Sequence, residues 1–128
     1  MTDRMARRGT RMVALLALLL VGGCEAVAPR SCTAQFVYGI VVTVDDRDSG
    51  EPVEEGLSGV TVKGGVSSEM EAFGNVLQGA GEDAGTHDVL VTAPGYESWS
   101  MDRIQVEDGE CHVSSVRLTA SLVPTTDM

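Results

Sequence analysis

Residues 34–45, AQFVYGIVVTVD, decide the fold. Phe36, Tyr38, Ile40, Val42 and Val44 fall on one parity, and a period of two is what a strand needs to bury one face while the other meets solvent. The β-branched residues suit a pleated, half-buried surface. The stretch is expected to form the first core strand. Behind it, the acidic segment DRDSGEPVEEG at 46–56 is expected to turn, because Gly50 and Pro52 break regular pairing.

Strand signals recur downstream. GVTVK at 59–63 reads as a second strand ended by Gly64-Gly65. From Val66 to Asp83 the glycines at 74, 79 and 81 interrupt every period; Ser68 to Phe73 admits one helical turn, but short strands and loops with Val76 and Leu77 inward are preferred. THDVLVTA at 86–93 places His87, Val89, Val91 and Ala93 on one face, and Pro94-Gly95-Tyr96 follows as a tight turn. In the return strand, 97–106, the apolar parity changes from Trp99 and Met101 to Ile104 and Val106, which predicts a bulge near Asp102-Arg103. Asp108-Gly109 signals a hairpin with an antiparallel partner after it. That partner, 110–123, changes parity between Cys111/Val113 and Val116/Leu118/Ala120/Leu122, which predicts a second bulge near Ser114-Ser115. No helical period of useful length follows Cys24. The expected fold is all-β, a single small Greek-key β-sandwich of about seven strands.

Upstream of that domain the composition changes. Arg4, Arg7, Arg8 and Arg11 precede a 10-residue apolar run, Met12 to Val21, too short to span a bilayer, which takes about 20 residues. Val21-Gly22-Gly23-Cys24 comes next. This order resembles the signal peptide and lipobox of bacterial lipoproteins, and the resemblance implies cleavage before Cys24 and lipidation of its thiol. Residues 1–23 are then signal peptide, 24–33 the lipidated N-terminus and a Pro29-containing tether, 34–123 the sandwich domain and 124–128 a C-terminal tail. Glu25 after the cysteine favours the outer membrane under the enterobacterial sorting rule. The expected location is the cell envelope, facing periplasm or exterior.

Charge and cysteines agree with that compartment. Of the 9 Lys and Arg, 4 precede Cys24, and of the 19 Asp and Glu only Asp3 does. The remainder carries 5 bases against 18 acids, a formal charge of −13. Such a surface repels phosphate backbones and argues against a nucleic acid partner. With Cys24 acylated, the odd count of 3 cysteines resolves, and Cys32 and Cys111 are left to pair as a disulfide in an oxidising compartment. Neither lies in the close spacing of a metal-binding cysteine motif.

The segments GIVVTVDDRDSGEPV, GVTVKGG, AGTHDVLVTAPGY and VEDGECHVSSVRLTASL, in this order, resemble the carboxypeptidase regulatory-like, transthyretin-like β-sandwich domain over roughly residues 35–123. In that family the first strand ends in an Asp and a Thr-Gly-type turn, matched here by Asp45 to Gly50, and a Gly-x-aromatic strand leads to a Gly-Tyr turn, matched by Gly85 to Tyr96. His87 stands where an aromatic is commoner. The resemblance implies the sandwich and no particular activity.

No constellation supplies catalysis. Gly-x-Ser-x-Gly is missing, as are the zinc-peptidase motifs and the C-terminal Tyr-Arg-Gly-Ser of transthyretin-like hydrolases. Tyr38, Tyr96, His87 and His112 are the ligand types of iron-dependent intradiol dioxygenases, but each has a packing role, and no cofactor is expected. Asp45, Asp46 and Asp48 are weak calcium candidates, since Gly50 stands in the place of a third EF-hand ligand. Tyr96 and Trp99, beside a turn, are the candidates for ligand binding, although a strand Trp more often fills a core. The expected function is non-enzymatic: a lipid-anchored envelope protein whose domain has structural, adhesive or ligand-display roles toward an unknown envelope protein or glycan. The alternative is a small-ligand or carbohydrate/peptide-binding module, and an uncharacterised envelope enzyme ranks third.

Overall fold

In a computed structural model, which describes residues 32 and 34–126, the apolar alternation of the first strand becomes β1 (Tyr38–Asp46), with Ile40, Val42 and Val44 fully buried. The leader and Cys24 lie outside the described residues. The chain divides into two units, Met1–Cys32 and Thr33–Met128, and the fold is that of the second.

After β1 come β2 (Ser58–Lys63), β3 (Val66–Glu69), β4 (Glu71–Phe73), β5 (Val76–Gly81), β6 (Gly85–Thr92), β7 (Trp99–Val106) and β8 (Val116–Leu122). They form two four-stranded sheets, ordered β4-β5-β1-β8 and β3-β2-β6-β7. The fold is thus an all-β sandwich of eight strands, one more than expected. The extra pairing comes from the glycine-broken middle, where β3, β4 and β5 form without a helical turn. Leu77 is fully buried there and Val76 half-buried.

β1 and β6 are central strands, and each feeds its apolar parity between the sheets. His87, Val89 and Val91 of β6 alternate with exposed Thr86, Asp88 and Leu90, as their period demands. Gly59 of β2 admits Leu77 from the facing sheet: a Cβ there would stand 2.7 Å from a Leu77 methyl and 2.9 Å from the Met70 sulfur.

The predicted bulge in the return strand is present. His87 pairs with Ile104 and Val89 with Met101, so Asp88 alone faces Asp102 and Arg103. Arg103 adopts φ 57°, and its N–H, turned out of the ladder, donates to Asp88 Oδ1 at 3.0 Å. The extra residue brings Ile104 and Val106 into the core after the parity change.

Three expectations need correction. Phe36 shares the core parity of β1 yet is 59% exposed, because the strand begins at Tyr38, opposite the last residue of β5, Gly81. The last strand begins at Val116, not Glu110. Cys111 and Val113 belong to a turn closed by Gly109 N–H to His112 O (2.9 Å) and a bridge between Asp108 and Val113, so the parity changes where the strand starts and there is no bulge at Ser114-Ser115. β8 also pairs with β1, in parallel, from Ile40↔Val116 to Asp46↔Leu122. The Asp108-Gly109 turn reverses the chain, and the segment after it crosses to the other sheet. Beyond β8, Pro124 bridges Tyr96 and the Thr125 N–H donates to Gly95 O at 2.9 Å, so the first residues of the expected tail complete the fold.

Candidate functional site

At the C-terminal end of β1 two turns meet. Asp46 Oδ1 accepts the backbone N–H groups of Asp48 (2.8 Å) and Ser49 (3.0 Å), while the Asp46 carbonyl accepts from Gly50 N–H (2.8 Å). The DRDSG sequence produces this turn because a short carboxylate can satisfy the amides just after it. The other oxygen, Oδ2, accepts the Tyr96 hydroxyl at 2.8 Å. The Ser49 amide first, then the Tyr96 phenol and the Asp48 amide, outweigh partial burial and hold the Asp46 carboxyl below its ordinary value. The same hydrogen bond, with some burial and the charges of Asp46 and Glu51, raises the Tyr96 phenol.

Tyr96 therefore faces an open recess of about 600 Å³, lined also by Pro52, Val53, Glu54, Glu55 and Pro94. Trp99, the other sequence candidate, opens β7 opposite Val91 and packs half-buried against the core. The two aromatics do not form one platform. Asp45, Asp46 and Asp48 are not gathered around a common point either: Asp46 is committed to its turn and to Tyr96, Asp45 faces Asn75 Nδ2 at 3.5 Å, and Asp48 enters the turn through its amide. Among the described residues no three His, Cys, Asp or Glu side chains form a group able to hold a metal ion.

The histidines occupy different surroundings. His87, 1% exposed, hydrogen-bonds Asp83 O through Nε2 at 2.9 Å. A carbonyl only accepts, so Nε2 carries the proton, and Nδ1 points into the core without a partner. His112 Nδ1 pairs with Glu82 Oε1 at 2.7 Å. Cys111 beside it is disulfide-bonded, as is Cys32.

No family model matches this chain, and no curated protein matches it at a significant level. Two carboxylates that the sequence reading passed over organise the opposite end of β1. Glu82, at φ 48°, accepts Val37 N–H at 2.9 Å through Oε1 and Val113 N–H at 3.4 Å through Oε2, while its own N–H donates to Val37 O at 2.9 Å. Burial pushes its carboxyl up, but His112 and the two amides outweigh that and leave it below the ordinary value. Glu71 Oε2 accepts the Tyr38 hydroxyl at 2.6 Å, which raises the Tyr38 phenol and fixes the ring. The pairs span 33 and 30 residues of sequence, beyond any local period.

Proposed function

We propose that this chain is a non-enzymatic, lipid-anchored cell-envelope protein, acylated at Cys24, whose carboxypeptidase regulatory-like sandwich displays one end of the domain for structural or adhesive contact. The observation that carries the reading is Val21-Gly22-Gly23-Cys24 directly after a basic and apolar leader. The direction of β1 supports display: the chain enters the domain before Tyr38, whereas Asp46, Tyr96 and their recess lie toward the far end of that strand. Acyl chains would hold the protein firmly, because membrane affinity grows by about 0.8 kcal/mol per buried CH₂ and more than one chain is attached. Intact mass of the protein extracted from membranes tests the anchor. Lipid on an N-terminal Cys24 is expected; a retained leader or an unmodified Cys24 sinks the reading. Replacement of both His87 and His112 by Ala tests the absence of catalysis, since a lost phenotype at matched abundance would contradict it.

The recess beside Tyr96 favours a second reading, a binding module for a small ligand, glycan or peptide. Prolines and a tyrosine held by a carboxylate form a rigid, amphipathic wall of the kind such ligands use. Glycan and peptide arrays probed with the domain should then give hits that Tyr96→Leu abolishes and Tyr96→Phe retains.

A further inference from the structure

At the end of β1 remote from Tyr96 the exposed ring of Phe36 and the half-buried ring of Tyr38 stand beside carboxylates. The Phe36 ring lies on the backbone of Gly81, where a Cβ would collide with it, so the glycine is what lets the ring lie down. Its centroid is 5.1 Å from that of Tyr38 at an interplanar angle of 87°, an edge-to-face contact that fixes both rings. Glu71 anchors the Tyr38 hydroxyl. With 59% of Phe36 exposed, packing accounts for only part of this arrangement. The two rings line a recess of about 300 Å³ together with Glu69, Glu71 and Asp83. The nearby cation, Lys63, is held by Asp83 and by the Ala84 carbonyl, so it offsets one of the three carboxylates and the recess remains negative.

Aromatic faces attract cations through their quadrupole, and carboxylates beside them reinforce the attraction. We propose that this recess between Phe36, Tyr38, Glu69, Glu71 and Asp83 binds an organic ammonium group. The group would lie against the preset rings with the carboxylates at its edge. The acidic field of the domain favours the same sign of ligand. Two sources share this chemistry: a free quaternary amine, and a lysine side chain presented by a basic protein segment. The inference does not depend on lipid anchoring or on the recess at Tyr96.

The test is an amide-detected NMR titration of the full chain with choline, with a short lysine-containing peptide, and with the neutral isostere of choline in which carbon replaces nitrogen. Saturable shifts at Phe36, Tyr38 and Gly81 with a charged probe, and none with the isostere, are expected. A response to choline alone identifies a free amine as the ligand, and a response to the peptide alone identifies a basic segment. Phe36→Ala and Phe36→Leu should both weaken binding by about 3- to 30-fold, the range of a cation–π contact, with the fold retained by circular dichroism. Glu71→Gln should weaken it as well. Equal binding of the isostere, no saturable shift with either charged probe, or wild-type affinity in Phe36→Leu overturns the proposal.

Discussion

The Tyr96 hydroxyl donates to Asp46 Oδ2 at 2.8 Å and so joins two turns that lie 50 residues apart in the chain. Because Asp46 also satisfies two amides of its own turn, the two partners are not equivalent. Tyr96→Phe should lower the melting temperature by a few degrees, whereas Asp46→Ala should lower it more by orphaning the Asp48 and Ser49 amides as well. Thermal unfolding followed by circular dichroism checks the order. Equal losses would mean that the turn amides find other partners.

The pH dependence follows from the directions of three shifts. Asp46 and Glu82 both have carboxyl values lowered by folding, so each contributes stability above the ordinary carboxylate range, which is lost as pH falls through the folded value. Tyr96 has its value raised, so its contribution is present below the ordinary phenol range and is lost as pH rises through the folded value. Urea unfolding should therefore show a plateau near neutrality with a fall below about pH 4 and another above about pH 10. Asp46→Asn should flatten the acid limb, and Tyr96→Phe the alkaline one.

Cys32 and Cys111 are both disulfide-bonded. Closing a loop of about 80 residues stabilises by about 4.5 kcal/mol in the chain-entropy model, an upper figure because denatured chains retain structure. Cys32→Ala and Cys111→Ala should lower the melting temperature by similar amounts, and the double variant should be no worse than either. Stoichiometric thiol labelling of both residues in the folded, non-reduced protein would show that the bridge is missing.

At the bulge, Arg103 holds φ 57° and gives its N–H to Asp88. A left-handed backbone costs an L-residue about 1–2 kcal/mol, and glycine escapes that cost while losing more entropy on folding. Arg103→Gly should therefore leave stability level or raise it by up to about 1 kcal/mol. Arg103→Val should lower it, because a β-branched side chain is crowded further in that conformation than Arg is. Denaturant midpoints distinguish the two, and a stabilising valine would contradict the bulge.

The parts of this fold visible in the sequence are those where one face of a strand is buried. β1 and β6 announce themselves through Ile40, Val42, Val44 and His87, Val89, Val91, and the parity change after Met101 marks the bulge. β3 and β4 are exposed along their whole length. As edge strands with no buried face they carry no apolar period, and only pairing with β2 and β5 defines them. Phe36 misled because alternation in sequence continues past the point where a neighbouring strand exists to pair. The turn at Asp46 was legible from its Asp, Ser and Gly. Its tie to Tyr96, and those of Glu71 to Tyr38 and Glu82 to His112, were not, because they join residues distant in the chain that meet only once the strands have paired and the domain has closed.

The parallel seven-pair ladder between β1 and β8 also governs how the domain would bear a load. The chain enters β1 at Tyr38 and leaves β8 at Leu122, at opposite ends of two adjacent strands. A pull applied between those points slides one strand along the other and strains every rung together, whereas a pull on a hairpin would peel its rungs one at a time. Tension between those two points thus meets the sandwich in shear, the geometry in which a short sheet resists rupture best.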